Sequence, residues 1–267
     1  DDKIAYKYMD GWSTDQVIGY KTLWTYVEQG LKGDITRDSM EKNIFFTINC
    51  GDYSYAETPK QFWAILGVTG TLRAMSPEQK KIATDHFGIK KFTFMPSVYG
   101  EREERFKELL PEITSDEQHL LTLVKEVETK YKKGQRSVII FFETRAQMED
   151  AYSSDYFTKS LEFKQNNFIK LHTEITKLER ESRIQKASTA GYVTFATRDF
   201  GRGTDFVCHD KTVEEHGGVH IITTFLPLEK SEYIQIQGRT ARMSKKGSFK
   251  AVLNMRQLEE FGITPQM

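Results

Sequence analysis

The stretch Ser137-Val138-Ile139-Ile140-Phe141-Phe142 is, after its serine, an unbroken run of β-branched and aromatic residues. A continuous apolar run of this length, rather than an alternating one, predicts a strand that is buried on both faces. Such strands occur in parallel sheets that helices cover on both sides. The stretch therefore predicts an α/β fold, and the sequence on either side can be interpreted from it.

Strand and helix patterns alternate from this run toward the end of the chain. A helix is predicted before the run. Acidic residues after Thr114 are typical of a helix start, and Gly134 is typical of the residue that ends a helix. Alternation at this spacing predicts a parallel sheet flanked by helices, with a ligand site beyond the carboxyl ends of the strands. The further predicted strands are 168–171, 192–196, 219–225 and 249–253, and the predicted helices are 114–132, one from about 145, 176–187 and 229–242.

The first 113 residues carry weaker patterns and predict a small α+β region. The clearest is the capping box Ser76-Pro77-Glu78-Gln79, which starts a helix that Gly88 ends. The other predictions are a helix at 15–29, a strand at 43–49, an apolar helix-like run at 62–66, a strand at 90–95 and a charged loop at 97–111.

Composition argues against several classes of protein and site. The 267 residues include 38 basic and 38 acidic side chains, so a broad basic belt for nucleic acid is not expected. Cys50 and Cys208 lie far apart, and the histidines show no ligand spacing, so we expect neither a disulfide scaffold nor a metal site. No apolar run approaches the ~18 residues of a membrane span. The chain begins at Asp1 without a signal peptide, and we interpret it as a piece of a larger protein that is cytoplasmic or peripheral to a membrane.

The strongest functional motif is Ala196-Thr197-Arg198-Asp199-Phe200-Gly201-Arg202-Gly203-Thr204-Asp205, directly after a predicted strand. Glycines on both sides of Arg202 allow a tight turn and the close approach of a ligand. Arg202 and Asp205 place opposite charges at that turn. The alternative interpretation is an ordinary strand-to-loop turn that contains an Arg–Asp pair.

A second motif, Gln235-Ile236-Gln237-Gly238-Arg239-Thr240-Ala241-Arg242, holds two arginines three positions apart. On the predicted helix at 229–242, Arg239 and Arg242 would share one face. Two guanidinium groups there can bind the oxygens of a terminal phosphate and stabilise the charge that develops during phosphoryl transfer. The alternative is a solvated basic helix face that continues into Lys245 and Lys246.

A third motif is Thr69-Gly70-Thr71, in which small hydroxyl residues flank a glycine. Such a segment suits a strand end that relays the presence of a phosphate to a neighbouring domain. A plain turn is the alternative interpretation of these three residues taken alone.

In this order, the motifs resemble those of superfamily 2 helicase-type ATPases, and most closely those of the SecA family, the motor of bacterial protein export. Residues 66–72 resemble the family's GMTGTA, 196–206 its ATNMAGRGTDI, 217–222 its GGLHVIGT and 235–242 its QLRGRSGR. Residues 10–12 and 44–48 resemble, more loosely, the end of its preprotein-binding insertion. The chain departs from the family pattern at Glu143, Arg145, Gln237 and Ala241.

The resemblance implies a RecA-like parallel sheet flanked by helices, the second motor domain of a P-loop NTPase, with ATP and Mg²⁺ held between two such domains. It makes Arg242 the arginine finger, with Arg239 and Gln235 beside the phosphate or the attacking water. Asp205 would approach the nucleotide sugar. The residues expected to bind or sense the nucleotide are Asp205, Gly201, Arg202, Gly203, Thr204, Thr69, Gly70 and Thr71.

The resemblance also divides the chain into three parts. Residues 1–60 would be the tail of a substrate-binding insertion, 61–113 the edge of the first motor domain with a linker, and 114–267 the second RecA-like domain. The chain has no G-x-x-x-x-G-K-[ST] and no Asp–Glu pair after a buried strand for Mg²⁺. The intact parent is therefore expected to hydrolyse ATP, whereas this chain alone is expected to be inactive.

The implied partners are the first RecA-like domain of the same parent chain, an unfolded polypeptide and a membrane translocation channel, rather than nucleic acid. Two other functions remain open. A nucleic-acid helicase or translocase would share the motor core but needs a strand-tracking groove with steep salt dependence. A non-catalytic scaffold derived from such a motor fits the absent phosphate loop. A phosphate loop upstream of Asp1 would favour a motor, and its absence a scaffold.

Overall fold

The computed structural model describes residues 2–263 except 9–10, 15–16, 46–47, 49, 97, 99–109, 161–162 and 164. The chain forms two compact units, of which the first comprises residues 1–68 and 78–90 and the second comprises 69–77 and 91–267. The second unit contains the whole of the predicted α/β region.

The first unit is built from a short antiparallel strand pair and helices. Its buried side chains include Thr22 and Tyr26, whose hydroxyl accepts a hydrogen bond from the Ile4 amide at 3.0 Å. A close packing of Gly30 against Met40 joins the two longer helices. The elements are β1 (Tyr6–Tyr8), β2 (Gly11–Ser13), α1 (Gly19–Lys32), α2 (Arg37–Asn43) and most of α3 (Pro77–Lys81), which continues as a π-helical turn, Ile82–His86.

Predictions for this part of the chain were confirmed only where a cap or a long pattern supported them. The helix predicted at 15–29 is α1, and the helix predicted to begin after Ser76 is α3. Three predictions are wrong for the described residues: the strands at 43–49 and 90–95 and the helix-like run at 62–66. Asn43 is the last residue of α2, and the other described residues of these ranges have no helix or strand. Phe92 and Phe94 are exposed and have no strand partner among the described residues. Residues 46, 47 and 49, and most of the loop at 97–111, lie outside the described part.

The second unit is built on a six-stranded parallel sheet with helices between the strands. The strands are β3 (Glu112–Thr114), β4 (Val138–Phe142), β5 (Phe168–Leu171), β6 (Val193–Thr197), β7 (Val219–Thr223) and β8 (Gly247–Asn254). The helices are α4 (Asp116–Tyr131), α5 (Arg145–Ser153), α6 (Asp155–Thr158), α7 (Lys177–Ala187), α8 (Lys211–Glu215), α9 (Lys230–Gln237) and α10 (Met255–Glu259).

The strand order is β3-β8-β7-β4-β6-β5, and every neighbouring pair is parallel. Strand β4 lies inside the sheet, between β6 and β7, as its continuous apolar sequence predicts. The sheet is the predicted RecA-like α/β architecture. The three-residue edge strand β3 is the one strand of this sheet that the sequence pattern did not indicate.

Alternate residues of β4 face two separate apolar layers. Ile139 and Phe141 belong to the layer covered by α7, α8, α9 and α10, whereas Val138, Ile140 and Phe142 belong to the layer covered by α4, α5 and α6. All five side chains are almost fully buried. Burial of side chains of this size contributes about 1.5–3 kcal/mol each, so β4 is the centre of the core.

A polar cluster is buried in the second layer. His220 on β7 lies 2.8 Å from Ser248 Oγ through Nδ1 and 3.2 Å from Glu126 Oε1 through Nε2. Arg136 donates to Ser248 Oγ at 2.8 Å and to the Gly218 carbonyl at 2.7 Å. The Ser–His–Glu arrangement is not a nucleophilic site, because His220 is buried and Ser248 Oγ already accepts from Arg136. The cluster instead joins α4, β7 and β8.

This cluster makes stability sensitive to acid. Burial and the positive charges of Arg136 and Lys130 lower the pKa of His220, whereas Glu126 raises it. The lowering effects are larger, and the pKa of His220 is about 4. Burial alone would raise the pKa of Glu126, but His220 and Lys250 lower it to about 2. The unfolded chain, with ordinary pKa values, therefore binds more protons than the folded chain below about pH 6.5, where the histidine titrates first.

We expect the free energy of unfolding to fall by on the order of 2–3 kcal/mol between pH 7 and pH 4.5 through His220 alone. His220→Gln should remove most of that pH dependence, measured by urea denaturation at a series of pH values. His209→Gln is the matched control, because His209 is exposed and its substitution should keep the wild-type slope. Equal slopes in wild type and His220→Gln would contradict the assignment.

Candidate functional site

The loop after β6 carries the first motif and has two glycines with different requirements. A short 3₁₀ turn, Arg198–Gly201, leads into extended backbone at Arg202. A Cβ added at Gly201 would lie 2.8 Å from Cγ1 of the buried Ile236 on α9, so only glycine allows this close packing. Gly203 has a φ of +67° but open space around it, so it is needed for its backbone conformation.

The two arginines of the second motif lie beyond α9 and not on it. The helix predicted at 229–242 ends at Gln237, and Ala241 has a φ of +52°. The reason is tertiary: Thr240 Oγ1 donates to the Val219 carbonyl of β7 at 2.6 Å, which draws the chain onto the sheet. The prediction that Arg239 and Arg242 share one helix face is therefore wrong.

Both arginines nevertheless contact the loop of the first motif. Arg239 donates through Nε to the Gly201 carbonyl at 2.7 Å and through Nη1 to the Thr204 carbonyl. Arg239 is half-buried. Its burial lowers its pKa, and the positive charge of Arg242 lowers it further, whereas the negative charge of Asp205 raises it. Arg242 forms an ion pair with Asp205. The structure thus brings Gly201, Thr204, Asp205, Arg239 and Arg242 together.

A cavity of about 80 Å³ lies beside these residues. Its lining includes buried apolar residues, four basic residues and one acidic residue. The charged lining residues are Asp205, Arg239, Arg242, Lys245 and Lys246, and the buried apolar ones include Phe206, Val219 and Ala241. Val219 is the first residue of β7, so the cavity lies at the amino end of that strand, whereas the sequence predicted a ligand site beyond the carboxyl ends.

Ion pairs occupy the carboxyl edge of the sheet instead. Arg198, which follows β6, lies 3.0 Å from Glu232 of α9 and 3.4 Å from Glu143, which follows β4. Arg202 lies 3.2 Å from Glu229. No local pattern indicates the Arg198 contacts, because the partners lie 34 and 55 positions away in the chain. Glu143, where the SecA family has a small hydroxyl residue, is one of these partners.

The remaining predicted site residues lie outside the cavity lining. Gln235 is on α9 and half-exposed. Thr69 and Thr71 have hydroxyl oxygens 3.1 Å apart in an exposed turn, and the Thr71 amide donates to Thr69 Oγ1 at 3.2 Å. Gly70 lies between them in the same turn. The hydrogen bonds described for these two threonines are therefore local.

The described residues contain no group of three or more histidine, cysteine, aspartate or glutamate side chains arranged to hold a metal ion. Among the described helices, none combines the length and apolar character needed to span a membrane.

Known proteins resemble parts of this sequence. Residues 118–244 match the model of the helicase conserved C-terminal domain. The protein translocase subunit SecA of Halothermothrix orenii is 27% identical over 197 residues, which cover 73% of this chain and 21% of that protein. SecA of Endomicrobium trichonymphae is 31% identical over 139 residues, covering 50% and 15%. The chain thus spans about a fifth of the length of these relatives.

Solved helicase structures were also found. The DEAD-box helicase Mss116 bound to ssRNA and UDP-BeF superimposes with a TM-score of 0.49 at 21% identity, covering 72% of this chain and 38% of that chain. A DEAD box protein from Methanococcus jannaschii superimposes with a TM-score of 0.41 at 18% identity, covering 70% and 45%. On the sequence matches, the chain contains a SecA-like, superfamily 2 helicase-type C-terminal domain, which confirms the resemblance.

We expect Gly201→Ala to lower the free energy of unfolding by about 1–3 kcal/mol, because its methyl group overlaps Ile236. Ile236→Ala alone should cost about 2–5 kcal/mol by opening a cavity. The double variant should lose clearly less than the sum, since the new methyl group enters that cavity.

Gly203→Ala is the matched control in the same denaturation experiment. Its cost of about 1 kcal/mol comes from the backbone conformation alone. It should therefore be additive with Ile236→Ala. Additivity of Gly201→Ala with Ile236→Ala would contradict the described packing.

Proposed function

We propose that this superfamily 2 motor domain belongs to a SecA-like, ATP-driven protein translocase and supplies arginine side chains to an ATP site between two RecA-like domains. The observation that carries the proposal is the meeting of two sequence motifs at one open cavity, with Arg242 at its edge. The order of the motifs and the two SecA relatives support it.

The two arginines have different environments, which suit different roles. Arg239 is held by two backbone carbonyls of the Gly201–Asp205 loop, so it positions that loop and holds its own remaining donors in place. Arg242 is 43% exposed and its partner Asp205 is 55% exposed, so its guanidinium is free to turn toward a phosphate. An exposed ion pair is worth only about 0–1 kcal/mol, and a phosphate can replace it.

The residues present fit one side of a nucleotide. The basic lining of the cavity suits phosphate oxygens, and Asp205 suits a sugar hydroxyl. ATP, bound with Mg²⁺, would supply the phosphoryl group that is transferred. Ligands for the metal and the cradle for the β- and γ-phosphates would come from a first motor domain, because this chain has no phosphate-binding loop. The arginines then stabilise charge on the transferred group.

The charges favour a polypeptide over a nucleic acid as the substrate. Nucleic acid needs basic side chains that are free to contact successive phosphates. At the carboxyl edge, Arg198 is instead paired with Glu143 and with the buried Glu232, and the chain has no net charge. These pairs would have to break before a strand could bind there.

In a parent protein that contains the phosphate loop, Arg242→Ala should lower kcat for ATP hydrolysis by on the order of 10³-fold or more, with little change in ATP affinity. The reason is that the arginine acts on charge that exists in the transition state. Arg256→Ala on α10 is the control, since Arg256 is exposed and lies away from the cavity lining, and it should keep wild-type turnover. Full turnover in Arg242→Ala would refute the role.

A second experiment separates the helicase alternative. Titration of this chain into a labelled single-stranded RNA, followed by fluorescence anisotropy, should show no saturable binding at low salt. The physical reason is the pairing of the edge arginines. Saturable binding that weakens steeply as salt increases would instead support a nucleic-acid motor.

A further inference from the structure

The turn that follows Arg242 brings two lysines to the same cavity. Met243 and Ser244 have φ values of +52° and +63°, so the chain reverses immediately after the second motif. The reversal places Lys245 and Lys246 in the cavity lining with Arg239 and Arg242. They are therefore not part of a solvated helix face, which was the alternative interpretation of the sequence.

The charge around the cavity is not balanced. Four basic residues and one acidic residue, Asp205, line the cavity, so the lining residues carry a formal charge of +3. The Lys245 ammonium group donates to the Cys208 carbonyl, and Arg239 donates to two carbonyls. Carbonyl oxygens satisfy these donors without cancelling their charge. Among the described residues, no ion pair involves the Lys246 ammonium group. The Lys246 amide donates to the carboxylate of Glu214, which is outside the cavity lining, at 2.8 Å.

The floor of the cavity strengthens the effect of this charge. Phe206, Val219 and Ala241 are each at most 3% exposed and offer no polar side chain to the cavity. Apolar walls lower the local dielectric, so an anion at the rim interacts more strongly with the cations than it would on an open surface. The same pattern is absent at the carboxyl edge, where Arg198 is paired with Glu143 and Glu232.

We propose that Lys245 and Lys246 form, with Arg242, a phosphate-binding set at this cavity, and that Asp205 is the internal counter-ion that a bound phosphate group replaces. The ligand class is a compact polyphosphate anion, either free or as the phosphate end of a nucleotide. The proposal deepens the proposed function, on whose site it rests, but it concerns binding by this chain and not turnover.

A compact anion fits this site better than a long one. The cavity is small, and its cations come from one short segment, 239–246, and not from a row along the surface. Two or three phosphate groups with several oxygens each can contact such a cluster at the same time. Asp205 and Arg242 are both exposed, so exchanging one anion for another needs little rearrangement.

The test measures binding of inorganic pyrophosphate, and separately of ATP, to this chain by calorimetry at fixed ionic strength. We expect weak, saturable binding of both anions. Lys245→Gln/Lys246→Gln should weaken each by about 5-fold or more, because charge-assisted contacts are lost. Asp205→Asn should strengthen pyrophosphate binding by about 2- to 5-fold, because the competing carboxylate is removed; ATP does not test this point, since Asp205 is also proposed to contact the nucleotide sugar.

Lys125→Gln is the matched control, since it removes one exposed lysine from α4, which packs on the other layer of the core. It should bind as wild type does. Circular dichroism and thermal unfolding of each variant establish that it is folded. Three results would each overturn the proposal. They are absent pyrophosphate binding, pyrophosphate binding unaffected by the double lysine substitution, and weaker pyrophosphate binding by Asp205→Asn. ATP binding that survives the lysine substitutions would place the nucleotide elsewhere.

Failure here and failure of the proposed function can be told apart. Loss of turnover in Arg242→Ala with unaffected pyrophosphate binding in Lys245→Gln/Lys246→Gln would remove only the lysines from the site. Lysine-dependent binding with full turnover in Arg242→Ala would keep the anion site and reject the arginine finger.

Discussion

The candidate site depends on one interaction, the double hydrogen bond of Arg239 to the carbonyls of Gly201 and Thr204. These partners are 38 and 35 positions away in the sequence, and the contact joins the loop after β6 to the turn after α9. A half-buried guanidinium that loses its acceptors has a large desolvation cost, so the hydrogen bonds of Arg239 hold the Gly201 carbonyl in place. The packing of Gly201 on the Ile236 side chain holds the same residue, so the two contacts support each other. Asp205 and Arg242 meet because this contact has already aligned their segments.

Much of the α/β fold could be predicted because four of its strands, β4, β6, β7 and β8, are largely buried and lie inside the sheet. Continuous apolar runs at β4 and β7 are sufficient to indicate burial on both faces. The edge strand β3 has three residues and only one buried side chain, so its pattern is too short to recognise. In the first unit, apolar runs such as the one at 62–66 are exposed and carry no period that separates strand from helix from coil.

The site was predictable as a set of residues but not as a geometry. Motif order identified the arginines and the glycine loop, yet helix periodicity placed Arg239 and Arg242 on a helix that ends before both. What ends it is a hydrogen bond from Thr240 to β7, together with the close approach of Gly247, where an added Cβ would lie 2.1 Å from Thr240 Oγ1. Contacts of this kind depend on distant segments, which a local pattern does not contain.

Arg136, Arg198, Arg239 and Arg242 differ mainly in how completely their charge is compensated. Arg136 is buried among carbonyls and Ser248, and Arg198 is paired with two glutamates, so both act as structural links. Arg239 has carbonyl partners and keeps its charge uncancelled. Arg242 has a single exposed carboxylate that another anion can replace. Sequence motifs alone do not order these residues, whereas burial and pairing do: a charge that the fold leaves exposed and only loosely paired is the one available to a ligand.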